Sequence, residues 1–286
     1  RHYGNMRIDL HTHSSVSDGT DTPTRLVLKA MEEGLDVIAL TDHDTFDGIP
    51  EAVEAGKRIG VKVLAGIEMS TQADGHSVHL LGYGCDPFHR PLVAELARIR
   101  VARTGRLKAF AERITELGMP LTVDDIITAA GASPSIGRPH VADAMVAKGY
   151  VEHRDEAFEK WLRDDKPGYV PRYATDLGAA IDLIHEAHGI AVIAHPWARG
   201  GDQVLTAPLI RPLIAEDGLA GIEVEHPDHD EKTRELLFEF GGRTGLIRTG
   251  SSDYHGLGKR NNPLAANTTR DTAYREILRR IRLRGG

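Results

Sequence analysis

The chain is 286 residues long, 41% apolar and 27% charged, with a formal net charge of −7. That length exceeds a typical single domain yet fits one α/β barrel carrying an insertion, and no apolar run is long enough to cross a bilayer. The negative balance argues against a broad grip on a nucleic-acid duplex, and the single cysteine, Cys85, precludes an intramolecular disulfide and suits a reducing cytoplasm.

The opening RHYGNM has no apolar segment after its charge and does not read as a secretory signal; the natural start is expected near Met6. Strands are predicted over Arg7–Leu10, Val37–Leu40, Val61–Ile67 and Val78–Tyr83, with helix-period stretches at Thr24–Glu33 and Pro50–Ile59. From about Leu96 to Pro171 the alternation stops. That stretch reads as helices only, bounded by the proline-bearing DPFHRP and KPGYVPR. Alternation then resumes with a helix over Leu177–His188 and strands over Ala191–Ala194, Ile222–Val224 and Leu246–Thr249, with a helix over Lys232–Thr244 before the last. Gly34, Gly60, Gly189 and Gly245 each follow a helix, as helix-ending glycines do. The pattern predicts parallel βαβ units closed into a barrel over residues 6–95 and 172–286, with a helical insertion over 96–171 covering the active site.

Residues two apart on a strand face the same side, so His11 and His13 point together from the end of the first strand. Alone, such a pair also fits two satisfied polar histidines. Here other apolar runs end in the same way: VIALTDHDT in Asp42, His43 and Asp44, VKVLAGIEMS in Glu68, IAVIAHPW in His195, and LIRTGSSDYHG in Asp253 and His255. HSVHLLGYG adds His76 and His79. Barrel active sites gather at the carboxyl ends of the strands. Imidazole and carboxylate without thiolate suit zinc, manganese or iron, and so many ligands point to two or three ions and to displacement at phosphorus.

DLHTHSSVSDGT, ALTDHDT, AGIEMS, HLLGYG, IAHP and SSDYHG, taken in order, resemble the motifs of the PHP (polymerase and histidinol phosphatase) family. The resemblance implies a distorted seven-stranded α/β barrel holding two or three divalent ions, Mn²⁺, Zn²⁺ or Fe²⁺. It further implies that His11, His13, Glu68 and Asp253 hold one ion, that Glu68 bridges to a second held by His79 and His195, and that Asp18, His43 and His255 hold a third. Glu68, Asp18 and His255 are the expected catalytic residues. His76 competes with His79, and the family pattern favours His79. Asp42 and Asp44 flank a ligand and either orient it by hydrogen bonds or cap a turn.

SIGRPHVADAMV, in the insertion, narrows the resemblance to stand-alone members that hydrolyse phosphate esters of nucleotides, including 3′,5′-bisphosphate phosphatases and an RNA 5′-end exonuclease. It implies that Arg138 and His140 hold substrate phosphate. A guanidinium forks onto phosphate, although the same residues also read as a plain helix start with Pro139 in its first turn. Arg199 either reaches phosphate or lies in a solvated loop. EVEHPDHDE is expected to be a solvated turn, Glu225 stands where relatives often carry a stacking tyrosine, and Cys85 is expected in the core.

The implied activity is phosphoester hydrolysis by a metal-bound hydroxide on a small phosphorylated substrate or a single-stranded nucleic-acid end. Inorganic phosphate and an AMP-like nucleotide are the expected products, and neither a membrane nor a duplex-wide contact is expected. Three rivals stay open. A histidinol-phosphate phosphatase shares the barrel and the metals. A barrel amidohydrolase also begins with HxH but leaves TDHD and His255 unexplained. A catalytically inactive PHP domain with a structural role should have lost ligands, yet all nine positions are filled.

Overall fold

In the computed structural model, which describes residues 5–131 and 136–285, seven of eight strands curl into a nearly closed barrel. Residues 1–4, ahead of the expected start, and Ser135 of SIGRPH lie outside the described residues. The strands are β1 (Ile8–Thr12), β2 (Val37–Leu40), β3 (Lys62–Ala73), β4 (His76–Tyr83), β5 (Thr175–Asp176), β6 (Ile190–Ile193), β7 (Gly221–Glu225) and β8 (Ile247–Gly250). They pair in the order β1-β2-β3-β4-β6-β7-β8, and the two-residue β5 pairs only with β3. A parallel bridge between Thr12 and Tyr254 draws the ends together, with the His13 N–H donating to the Tyr254 carbonyl at 2.8 Å. Buried Asp9 reinforces this closure by accepting the Ser252 and Ala265 N–H groups at 3.1 and 3.0 Å.

One part of the sheet departs from the parallel expectation. β4 runs antiparallel to both β3 and β6. The cause is local: Ala73 pairs with His76 across Asp74 and Gly75, whose φ values are 48° and 76°. Two central residues with positive φ make the hairpin turn whose twist matches the flanking strands, and Asp-Gly is a preferred filling. The barrel thereby gains a long β-ribbon in place of one helical crossover.

The helices in chain order are α1 (Pro23–Glu32), α2 (Ile49–Ile59), α3 (Arg90–Glu116), α4 (Val123–Ala130), α5 (Arg138–Ala147), α6 (Arg154–Ala157), α7 (Leu177–Glu186), α8 (Ala207–Ala215), α9 (Glu231–Thr244) and α10 (Asp271–Leu283). α1 starts where Thr22 accepts the Arg25 N–H and Pro23 supplies a preset φ, and it buries Leu26, Val27 and Ala30. Gly60 and Gly245 close α2 and α9 in the left-handed conformation, as expected. Gly189 does not. At the end of α7 the positive φ (67°) belongs to His188, and Gly189 is needed for space instead, since a Cβ there would lie 2.5 Å from Cys85 Sγ.

The barrel core is an apolar cluster of strand residues such as Ile8, Leu10, Leu81 and Val192, joined by Tyr274, Ile277 and Ile281 from α10. Tyr83 crosses it and donates to the Leu10 carbonyl at 2.6 Å, so its hydroxyl is satisfied while its ring is buried. Cys85 is buried and unpaired, with its thiol pushed up to about 12 by burial.

By internal contacts the chain divides into two compact units, residues 1–96 with 174–286 and residues 97–173. The second is all helical around its own core, including Phe110, Ile114, Ile126, Val141, Met145 and Leu162. Inside it Arg138 donates to the Leu162 carbonyl at 3.0 Å and pairs with Asp164 at 2.8 Å. His140 Nδ1 accepts the Gly137 N–H at 2.9 Å, closing the start of α5. Among the described residues no helix is long and apolar enough to cross a membrane.

Candidate metal centre

The strand ends of the barrel converge on a cluster of buried histidines and carboxylates. Glu68, on β3, is 1% exposed, and its two oxygens face five imidazoles. Oε1 lies 3.1 Å from His11 Nε2, 3.0 Å from His13 Nε2 and 3.3 Å from His43 Nε2. Oε2 lies 3.1 Å from His79 Nδ1 and 3.5 Å from His195 Nε2. The Asp253 Oδ1 atom approaches the same two nitrogens of His11 and His13, at 3.1 and 3.2 Å. Asp18 faces His255 at 3.0 Å, His43 at 3.3 Å and His13 at 3.6 Å.

Among the described residues five groups of donor atoms form, each with all its atoms within 4.8 Å of one another. Three of them hold the expected ligands: His11, His13, Glu68 and Asp253; Glu68, His79 and His195; His13, Asp18, His43 and His255. The other two, His11, Glu223 and His226, and His195, His226 and Asp253, both contain His226. All nine residues named from the sequence as ligands fall into the first three groups. His76 belongs to none of them and sits beside the hairpin turn.

The electrostatics follow from burial. Burial alone would push His13 down, but the carboxylates of Asp253, Glu68 and Asp18 outweigh it and raise it to about 10. Burial would raise Glu68 and Asp253, and the surrounding imidazoles hold both well below the usual carboxylate range. His79 and His255 go the other way, to about 4, because burial dominates and neighbouring imidazoles repel a further proton.

The donor set fits divalent cations. His11 Nε2, both ring nitrogens of His13, Glu68 Oε2, Asp253 Oδ1 and His255 Nε2 are buried with no hydrogen-bond partner among the described residues. An orphaned buried polar atom costs about 1–3 kcal/mol, and several aimed at shared points are what an ion satisfies. The remaining ring nitrogens are committed outward. His11 Nδ1 donates to Glu223 Oε2 at 2.8 Å, and His255 Nδ1 donates to the Asp253 carbonyl at 2.8 Å, which leaves each Nε2 free to ligate. Backbone strain concentrates here as well: Asp44, His195 and Asp253 hold φ values of 54°, 27° and 53°.

Several other residues named from the sequence lie around the cluster. Asp42 accepts from Ser14 N and Oγ, each at 2.7 Å, and from Ser17 Oγ at 2.8 Å, fixing the loop that carries Asp18. Asp44 accepts from Ser70 N and Oγ at 2.7 and 2.8 Å, tying this loop to β3. Through these contacts both hold loops in place. Arg199 is mostly exposed, with Asp228 3.4 Å away. Glu225 faces Arg234 at 3.4 Å.

EVEHPDHDE is not a solvated turn throughout. Glu223 and His226 are buried, as is His229, and Glu223 links His11 to the His195 N–H. Glu223 was absent from the expected site. The available hint was a lone carboxylate inside the apolar run AGIEV, which burial permits only when it is paired. Lys259, also not anticipated, donates to Asp253 Oδ2 at 2.9 Å.

Comparisons with known proteins agree with this geometry. Residues 9–121 match the PHP domain. The chain is 33% identical over 252 residues to a 5′-3′ exoribonuclease of Haemophilus influenzae, covering 87% of this chain and 90% of that protein. It is 35% identical to a 3′,5′-nucleoside bisphosphate phosphatase of Chromobacterium violaceum, covering 88% of each. A solved structure from Bifidobacterium adolescentis, of a proposed metal-dependent phosphoesterase, superimposes with a TM-score of 0.80 at 37% identity over 96% of both chains. With its strand-end histidines and carboxylates in place, the chain belongs to the PHP family.

Proposed function

We propose that the protein is a metal-dependent phosphoric ester hydrolase acting on phosphate esters of nucleotides, either a 3′,5′-bisphosphate nucleotide or the 5′ end of RNA. The observation that carries this reading is Glu68, a buried carboxylate facing five histidines whose neighbours include unpartnered donor atoms. His11, His13, Glu68 and Asp253 would hold one ion, Glu68 with His79 and His195 a second, and Asp18, His43 and His255 a third. When bound, two or more such ions activate water as a nucleophile and neutralise charge on the phosphoryl oxygens.

The chain's own residues supply the rest. Burial of Glu68 and Asp253 excludes bulk water, so charge interactions inside the cluster are stronger than at a surface. Glu223 fixes the His11 ring by taking its Nδ1–H, and Asp42 pins the loop that presents Asp18. Arg138, His140 and Arg199 are proposed as substrate phosphate contacts on their chemistry, as a fork donor, an imidazole and a cationic loop residue. A cytoplasmic location belongs to the same proposal and is supported by the single free thiol.

Phosphate release from the Mn²⁺-loaded protein tests the reading with adenosine 3′,5′-bisphosphate, a short 5′-phosphorylated RNA, histidinol phosphate and AMP, with His13→Ala as control. Turnover of the bisphosphate to AMP, lost in the variant, identifies a nucleotide phosphatase, and trimming of RNA identifies an exonuclease. Release from histidinol phosphate alone would overturn the nucleotide assignment. No release from any of the four would overturn phosphoester hydrolysis altogether.

A further inference from the structure

The carboxylate of Asp253 is divided between two tasks. Its Oδ1 faces His11 and His13 and has no hydrogen-bond partner among the described residues. Its Oδ2 is engaged from the other side, by His226 Nε2 at 3.0 Å and by Lys259 Nζ at 2.9 Å. The His226 ring is buried, and its other nitrogen settles its tautomer. Nδ1 accepts the backbone N–H of Asp228 at 2.9 Å, so it carries a lone pair and the ring proton sits on Nε2. A protonated nitrogen has no lone pair to give an ion. His226 is therefore a donor to Asp253, although it falls in two groups of donor atoms within 4.8 Å of one another, one with His195 and Asp253 and one with His11 and Glu223.

We propose that His226 is a positioning residue. By donating from Nε2 to Asp253 Oδ2, it turns Oδ1 toward His11, His13 and Glu68 and makes Asp253 a single-oxygen ligand for the ion those residues would bind. Lys259 shares Oδ2 and fills its remaining lone pair. Without the His226 donor Oδ2 keeps only the Lys259 ammonium, a point charge on a flexible stem, and Oδ1 loses part of the restraint that aims it. The two-residue reach from Asp228 N back to His226 makes this device local. The turn HPD that follows β7 sets the tautomer, and the tautomer sets the carboxylate.

This inference rests on the proposed metal site, and one titration separates the two. Metal-stripped wild type, His226→Ala and His226→Gln are titrated with Mn²⁺, and free ion is followed by electron paramagnetic resonance. His226→Ala is expected to weaken one equivalent of Mn²⁺ about 10–100-fold and leave the others unchanged, as loss of such an orienting partner does. His226→Gln keeps a side-chain N–H and recovers most of the loss. Wild-type affinity at every equivalent in His226→Ala would overturn the inference while leaving the metal site standing. A whole equivalent missing from both variants would make His226 a ligand, which also overturns it. No Mn²⁺ binding by wild type would remove the metal site itself.

A measurement on the unaltered chain guards against a variant that does not fold. Long-range ¹H–¹⁵N spectra of the Zn²⁺-loaded protein should show the His226 ring proton on Nε2. A proton on Nδ1 would refute the mechanism.

Discussion

If Glu68 is shared between ions, its loss should cost more metal-linked stability than the loss of a residue that serves one. The three donor groups that hold the expected ligands overlap unevenly: Glu68 belongs to two of them, and Asp18 to one. At a free ion concentration of 100 times the dissociation constant, each site adds about 2.7 kcal/mol to the folded state. Three independent sites would thus add about 8 kcal/mol in wild type, about 5 in Asp18→Asn and about 3 in Glu68→Gln. The natural assay is thermal unfolding of each protein in chelator and again in saturating Mn²⁺, comparing the shift within each protein. This cancels any effect of the substitution on the metal-free state. The expected shifts in melting temperature stand roughly as three to two to one, at about 2–4 °C per kcal/mol for a chain of this size. A Glu68→Gln shift equal to or larger than that of Asp18→Asn would refute the bridging role.

Two further predictions concern the frame that carries the site. Asp217 is raised to about 6 by burial and by the nearby carboxylates of Asp182, Glu216 and Asp176. An acid raised on folding contributes stability that is full below its ordinary value near 4 and is lost as pH rises through about 6. Asp217→Asn should therefore be neutral near pH 4 and stabilising above pH 6, by a few tenths of a kcal/mol after solvent screening, as urea titrations at both pH values would read. Equal effects at both would contradict it. Gly189→Ala should destabilise by about 1–3 kcal/mol, because its Cβ would meet Cys85 Sγ at 2.5 Å and the Tyr83 carbonyl at 3.0 Å. If the cost comes from that sulfur, pairing the change with Cys85→Ala should restore part of the stability.

Much of the barrel was legible because its strands are short apolar runs and its helices carry one apolar face. The ligands were legible for the same reason. A His, Asp or Glu placed where an apolar run ends stands out against its neighbours, as His11, Glu68 and Asp253 do. What was missed lay where that contrast fails. Glu223 sits within its strand, and its partner His11 is 212 positions away in sequence, so nothing local announces the pair. His226 follows the strand in a polar stretch whose composition resembles a solvated turn, yet Asp253 and the Asp228 N–H hold it buried. The antiparallel β4 was missed for a different cause. The Asp74-Gly75 hairpin is plain in the sequence, but the surrounding alternation of strands and helices pulls the reading toward parallel units.

The positions of Asp9, Asp42 and Asp44 show how such a centre is made compatible with folding. A site that buries several unsatisfied polar atoms works against the native state, by about 1–3 kcal/mol for each atom. The same strands and the loops that follow them carry a second set of carboxylates that are satisfied by the protein alone. Asp9 ties β1 to the segment after β8, Asp42 ties the Ser14–Ser17 loop to the end of β2, and Asp44 ties that end to β3. Each accepts at least two backbone or hydroxyl donors, so each stabilises the loop geometry whether or not an ion is present. The barrel's buried acidic residues thus divide by partner. Those engaged on both oxygens by N–H and O–H donors hold the loops, and those that turn oxygens toward imidazoles form the centre. Serines supply much of that division: Ser14, Ser17 and Ser70 donate hydroxyls to Asp42 and Asp44, and backbone N–H groups of Ser252 and Ala265 hold Asp9, whereas Glu68 and the inner oxygen of Asp253 meet histidines. Removing a serine donor from Asp42 should therefore loosen the Asp18 loop without touching the two ion groups that contain Glu68.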